Sequence, residues 1–267
     1  FTSSKEISGT LFFLLLGGGS IMVILTIFPW QISSIINYKI VEADASTYGA
    51  FWMQIKQIFR GLFLGVIASL QLLMSLECLA KEIKVLALGD SLIAGYGLAE
   101  NQHFTTQLQK TLKNEGYNVS LINAGVSGDT SAGGLTRLDW SLASGPDAVI
   151  LELGANDGLR GISPSTTKKN LERILDQLRV KEIPVLFAGM LAPPNLGREY
   201  GSEFNRTYEE LAENFDVVFY PFFLDGVAGV SDLNQLDGIH PTGEGVAEIV
   251  RRIKPYVKEL ISRIGNL

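Results

Sequence analysis

The chain contains two histidines, and a general base working near neutral pH is most often histidine. His103, in Asn101-Gln102-His103, reads as a surface residue opening a helix. His240 stands in Leu236-Asp237-Gly238-Ile239-His240-Pro241, with an acid three residues ahead and a glycine between them that permits a turn. This spacing lets the Asp237 carboxylate fold back onto Nδ1 and hold the imidazole in the tautomer whose Nε2 accepts a proton. The same hexapeptide also reads as a plain helix-entry turn, with Pro241 fixing the approach to the last helix. Ser91 lies in LALGDSLIAGYG, Leu86 to Gly97, where an apolar run stops at a glycine, an acid and a serine. On its own it reads as a helix cap. Beside Asp237 and His240 it completes a Ser, Asp, His series in chain order, the set that nucleophilic acyl transfer uses. Asp90 is then left to shape the turn that presents Ser91.

Acyl transfer also needs donors for an oxyanion. The backbone N–H of Ser91, the N–H of Gly128 and the side-chain amide of Asn156 are the candidates, each beside a glycine in a short polar loop. A glycine at 128 lets backbone approach substrate without a Cβ in the way. Asn156 alone reads as a turn residue. Rival chemistries fit poorly. Two histidines and the single Cys78, outside the globular part, do not make a typical zinc site, and Asp90, Asp129 and Asp157 would hold a hard cation only with waters filling most positions. No phosphate-binding glycine loop and no G-x-S-x-G elbow occurs. No metal and no cofactor is expected.

The elements that must position these residues follow from hydrophobic pattern. Short β-branched or leucine-rich runs at 83–88, 119–123, 148–152, 184–188 and 217–220 alternate with helical segments at 103–115, 135–143, 166–180, 203–214 and 243–264. Strands each followed by a helix imply a parallel sheet covered on both faces. Ligands bind at the carboxyl ends of such strands, where the loops 89–91, 124–129 and 153–157 converge. The net charge of −6 belongs entirely to residues 81–267, because residues 1–80 carry four basic and four acidic side chains. No cluster of Lys and Arg suits phosphates, so nucleic acid is excluded as a partner.

Four blocks now stand in order: Gly89-Asp90-Ser91-Leu92, Gly128 in Ser127-Gly128-Asp129-Thr130, Asn156 in Gly154-Ala155-Asn156-Asp157, and Asp237-Gly238-Ile239-His240-Pro241. In order and spacing they resemble the GDSL or SGNH hydrolase family over residues 83–264. The longer stretches 127–131, 152–161 and 221–223 are similar to its bacterial periplasmic thioesterase I/lysophospholipase and arylesterase branch. The resemblance implies a flavodoxin-like three-layer α/β/α sandwich with a five-stranded parallel sheet, hydrolysing carboxylic esters or thioesters without metal or cofactor. It assigns Ser91 as nucleophile, His240 as base, Asp237 as its orienting acid, and Ser91, Gly128 and Asn156 as oxyanion donors. The family's mobile substrate loop falls at 157–162, making Asp157, Gly158 and Leu159 substrate-binding candidates. After the fourth strand the enterobacterial type carries a basic residue, whereas this chain reads Gly189-Met190-Leu191-Ala192-Pro193-Pro194-Asn195. That loss favours small aryl or short-to-medium acyl esters, with Met190, Leu191 and Pro193 as candidate acyl-pocket walls. A plain loop packing on the sheet edge is the other reading of these three. A carbohydrate or cell-wall O-deacetylase of the same family, and an inactive membrane-anchored binding protein, are the alternatives.

Residues 1–52 read as an apolar extension, either sequence upstream of the true start or a membrane span over 10–36. Residues 53–80 read as a signal peptide: Lys56 and Arg60 make its basic end, 61–76 its apolar run, and Cys78-Leu79-Ala80 a cleavage site before Lys81. An uncleaved anchor is the alternative, with membrane contact through this segment. Residues 81–267 are the hydrolase domain, expected in the periplasm or outside the cell and acting on small-molecule esters or thioesters.

Overall fold

The computed structural model describes residues 45–76 and 82–264, in two units divided after Cys78. In the first, helix α1 runs from Ala45 to Leu76. It begins ahead of Met53, so the boundary expected between residues 52 and 53 falls inside a helix. No helix among the described residues is long and apolar enough to cross a membrane. The expected span at 10–36 and the cleavage site at 78–80 lie outside the described residues.

The second unit is built on five parallel strands, β1 (Ile83–Gly89), β2 (Val119–Gly125), β3 (Ala148–Glu152), β4 (Val185–Ala188) and β5 (Val218–Tyr220), in the order β2-β1-β3-β4-β5. Central β3 is buried at every position, and β1 from Val85 onward, which is why both read as continuous apolar runs. Pairing is in register with Gly89 opposite Gly125 and Leu88 opposite Leu151, so the carboxyl ends of β1, β2 and β3 finish level.

Right-handed crossovers decide where the helices go. The step from β1 out to β2, through α2 (Ser91–Ala94) and α3 (Phe104–Asn114), moves in one direction along the sheet. The steps from β3 to β4 and from β4 to β5, through α7 (Pro164–Val180) and α8 (Arg198–Asn214), move in the other. The two sets therefore cover opposite faces. Helix α3 packs with the last helix, α9 (Gly243–Ile264), and α7 packs with α8 and with α4 (Ser131–Thr136). Helix α7 buries Thr167, Leu171, Ile174, Leu175 and Leu178, a stripe at helical spacing, and starts at Pro164, whose fixed φ suits a first helical turn. This is the three-layer sandwich with flavodoxin-like strand order, and its direction reverses between β1 and β3, where such sheets open a crevice.

Two elements depart from the expected pattern. The helix expected at 135–143 is two short ones, α4 and α5 (Leu138–Leu142), meeting at Arg137. Gly133 and Gly134 weaken a long helix here, and the Arg137 guanidinium is committed to Asp129 at 2.6 Å, the Gly89 carbonyl at 2.8 Å and Ser141 Oγ at 3.1 Å. Helix α8 begins at Arg198, five residues earlier than expected, straight after Gly197.

The crossing of α2 over the end of β2 sets the height of the loop that follows β1. A Cβ at Gly125 would stand 2.2 Å from the Ala94 nitrogen and 2.7 Å from the Ile93 carbonyl carbon, both backbone atoms that cannot swing away. Gly125→Ala is expected to cost about 1–3 kcal/mol, the range for forcing one carbon into filled space. Urea unfolding of the variant tests this, and a midpoint equal to wild type would show that the backbones are not in contact.

Candidate active site

Strand β1 ends at Gly89 and the chain turns into α2 through Asp90, whose Oδ1 accepts the Leu92 N–H at 3.0 Å. This is an N-cap, so the capping role expected for the serine is taken by the residue before it. Ser91 is thereby freed to be the first residue of the turn, and its Oγ lies 2.9 Å from His240 Nε2.

His240 arrives from the loop between β5 and α9. An isolated bridge pairs Asn234 with Pro241, and the Gln235 N–H donates to the His240 carbonyl at 2.7 Å. Between them Gly238 takes φ +69°, a left-handed turn that glycine adopts without strain. Asp237 Oδ1 accepts the N–H groups of Ile239 at 2.9 Å and His240 at 3.0 Å, and its Oδ2 stands 2.7 Å from His240 Nδ1. A carboxylate can only accept there, so Nδ1 carries the hydrogen and Nε2 is left to accept from the serine hydroxyl. The His240 backbone N–H, then the imidazole, then the Ile239 N–H hold the Asp237 carboxyl down to about 2. It stays ionised at any pH near neutrality.

The other two loops meet Asp90 and its neighbours from β2 and β3. Asn156, in the short helix α6 (Ala155–Leu159), donates one N–H of its amide to Asp90 Oδ2 at 3.0 Å, which leaves the second N–H for another acceptor. Gly128 takes φ +84° on the loop after β2, and its carbonyl accepts from the Arg160 guanidinium at 2.7 Å. Arg160 thus ties the loop after β3 to the loop after β2.

Beneath Asp90 lies a second acid. Glu152, the last residue of β3, has no exposed surface; its Oε2 accepts the Asp90 N–H at 3.3 Å and its Oε1 has no partner among the described residues. A Cβ at Gly89 would come within 2.5 Å of Glu152 Oε2, so glycine is required for the two strands to close over this group. Burial, and then the Asp90 charge, push the Glu152 carboxyl well above its ordinary value of 4.5. Burial also raises Asp90, to about 6, against the opposing hydrogen bonds from Leu92 and Asn156. Burial thus favours a proton on this pair of acids, and the Asp90 charge favours it on Glu152.

Of the residues expected to bind substrate, Gly158, Leu159, Leu191 and Pro193 lie on the segments that follow β3 and β4. A Cβ at Gly158 would stand 3.1 Å from Pro193 Cδ, so the loops after β3 and β4 touch, and Leu159 and Leu191 are each about half exposed. Asp157 and Met190 require correction. Asp157 is fully buried and satisfied by the Ser131 N–H at 2.7 Å, the Ser131 hydroxyl at 2.5 Å and the Thr167 hydroxyl at 3.1 Å, so it pins α6 to α4 and α7 and does not face a substrate. Met190 is 2% exposed and belongs to the core. His103 is also more than a surface residue: its ring packs on Gly95 and its Nε2 lies 3.2 Å from the Leu98 carbonyl. Glu152 and Arg160 fell within the matched stretch 152–161 without being given a role, and Arg137 and Gln235 fell outside every motif. Only Glu152 carried a signal, as an acid closing an otherwise apolar strand.

A hydroxyl, an imidazole and a carboxylate in sequential contact at the crevice of a flavodoxin-like sheet define a serine hydrolase. The chain belongs to the GDSL-like lipase/acylhydrolase family, whose model matches residues 87–247. It is 42% identical over 178 residues to the esterase TesA of Pseudomonas aeruginosa, covering 66% of this chain and 89% of that protein. It is 36% identical over 180 residues to thioesterase 1/protease 1/lysophospholipase L1 of Escherichia coli K12, covering 67% and 81%. Among solved structures, that of AlinE4, an SGNH-hydrolase family esterase, is 46% identical and superposes with a TM-score of 0.58 over 68% of this chain and 97% of that one. The protein is a serine ester hydrolase of this family, with small-molecule substrates.

The raised Glu152 carboxyl has a consequence for stability. A carboxyl whose folded value is raised contributes stability that is complete below its ordinary value and is lost as pH rises through the folded one. Glu152→Gln keeps the shape and cannot ionise. Thermal melts are expected to show the variant gaining on wild type as pH rises above the ordinary carboxyl value. A difference that stays flat or reverses over that range would mean that Glu152 is charged in the folded protein.

Proposed function

We propose that Ser91 is the nucleophile, His240 the general base and Asp237 its orienting acid in an acyl-serine mechanism. The observation that carries this is the continuous contact from Asp237 Oδ2 to His240 Nδ1 at 2.7 Å and from His240 Nε2 to Ser91 Oγ at 2.9 Å. As Ser91 Oγ attacks the ester carbonyl carbon, its proton passes to Nε2 and the carbonyl π electrons move onto oxygen. The Ser91 N–H, the Gly128 N–H and the free N–H of Asn156 receive that oxyanion. On collapse the ester C–O bond breaks and the imidazolium returns the proton to the leaving oxygen. Water then attacks the acyl-serine through the same base, releasing the carboxylic acid.

For substrates we propose aryl and short-to-medium acyl esters. The loop over 189–195 has no charged side chain, and the exposed Leu159 and Leu191 offer apolar contact at the carboxyl edge. Acyl thioesters and lysophospholipids are included in the proposal, because the Escherichia coli relative is named for both. We further propose that the catalytic domain works outside the cytoplasmic membrane, on the basis that Lys56 and Arg60 precede the apolar run 61–76.

Ser91→Ala is expected to lower kcat on p-nitrophenyl butyrate by at least about 10³-fold, since triad members act as a unit. A variant that keeps most of its activity would overturn the assignment. For export, N-terminal sequencing of protein recovered outside the cytoplasm is expected to read a start near Lys81, and an intact residue 60 would instead identify a retained anchor.

A further inference from the structure

We infer that Tyr96 is a positioning residue of the reaction, its ring forming an aromatic face against which the imidazolium of His240 is stabilised. The Tyr96 and His240 rings lie 4.5 Å apart between centroids, tilted by 36°. That is within the distance at which a cation gains from a ring quadrupole. The inference rests on the proposed role of His240 as base, because only a base becomes a cation during turnover.

The backbone around Tyr96 is built to hold the ring there. Helix α2 is a single turn, closed by Gly95 at φ +81°, and both the Gly95 and the Tyr96 N–H donate to the carbonyl of Ser91 at 3.1 Å. The segment that carries the aromatic ring is therefore fastened to the nucleophile's own peptide. On the other side, Gln235 Nε2 donates to the Tyr96 carbonyl at 2.9 Å and to the Pro241 carbonyl at 3.0 Å, while the Gln235 N–H holds the His240 carbonyl. Gln235 thus clamps the turn bearing Tyr96 to the loop bearing His240. Gly97 leaves room for this clamp, since a Cβ there would fall 2.3 Å from Gln235 Oε1.

The surroundings assign each side of the imidazole. Asp237 takes Nδ1, Ser91 takes Nε2, the buried Asp90 acts from beneath through its charge, and Tyr96 lies against the ring plane. Tyr96 is 53% exposed, and its hydroxyl has no protein partner among the described residues. Core packing does not account for a large aromatic in this position, and the hydroxyl contributes nothing visible. The face of the ring is what remains.

Three variants separate this role from packing or substrate contact. Tyr96→Phe keeps the face and is expected to retain kcat and KM within about twofold on p-nitrophenyl acetate. Tyr96→Leu and Tyr96→Met keep bulk without the face, and are expected to lower kcat and the acylation burst rate by about 3- to 30-fold with a smaller change in KM. Unchanged melting temperatures accompany these results, as the residue is half exposed. A loss in Tyr96→Phe equal to that in Tyr96→Leu, or a rise in KM alone in the aliphatic variants, would overturn the inference. Should Ser91→Ala stay active, the triad reading itself fails; should Ser91→Ala be inactive while Tyr96→Leu matches wild type, only the role of Tyr96 fails.

Discussion

The carboxylate of Asp90 is fully buried, and the site is organised around keeping it satisfied. Burying an ionised acid is costly unless hydrogen bonds replace its water. Here Leu92 N–H and the Asn156 amide supply them, one from the turn that presents the serine and one from the loop after β3. Each bond that offsets the burial also fixes a group of the proposed site: the capped turn fixes Ser91, and the shared amide fixes Asn156. Glu152 below is pushed by burial, and then by the Asp90 charge, toward its neutral form, which eases repulsion between the two acids. Loss of this joint would free the two loops separately, although neither contains a flaw of its own.

The glycines around the joint show how closely the strand ends must approach. Gly89 is pressed against Glu152 and Ile93, Gly125 against the backbone of α2, and Gly154 against the hydroxyl of Tyr208, which itself donates to the Leu153 carbonyl at 2.9 Å. In each case the side chain is absent because backbone or a buried polar group occupies its space. The crevice at the strand reversal is therefore narrow by construction, and His240 and Asp237 stand at its rim, their side chains 18% and 39% exposed. A cavity of about 410 Å³, lined in part by Leu175, Arg179, Phe215 and Arg263, lies at the amino ends of β4 and β5, the opposite edge of the sheet, and takes no part in this chemistry.

Much of this was legible in the residues. The five strands and the sheet class followed from apolar runs that a doubly covered sheet requires, and the Asp-x-x-His spacing carried its own geometry, because a three-residue separation is local and needs no tertiary context. What could not be read depended on tertiary context. Asp157 and Met190 sit in motif segments whose neighbours reach the edge, yet α6 turns the first toward Ser131 and Thr167 and the sheet takes the second into its core. Arg137 breaks a helix through bonds to Asp129 and to a carbonyl 48 positions away, which no window of sequence displays. Tyr96 was given no role, since its partner ring lies in another loop.

The separation of Ser91 and His240 along the chain has a temporal meaning. Ser91 and His240 are 149 residues apart, and the strand ends that align them include β5, the last to be made. A polypeptide emerging amino end first leaves Ser91 without its His240 contact until the final loop and α9 have docked. On the proposed roles of these residues, hydrolysis is thus a property of the finished chain, and a nascent one is harmless to the esters around it.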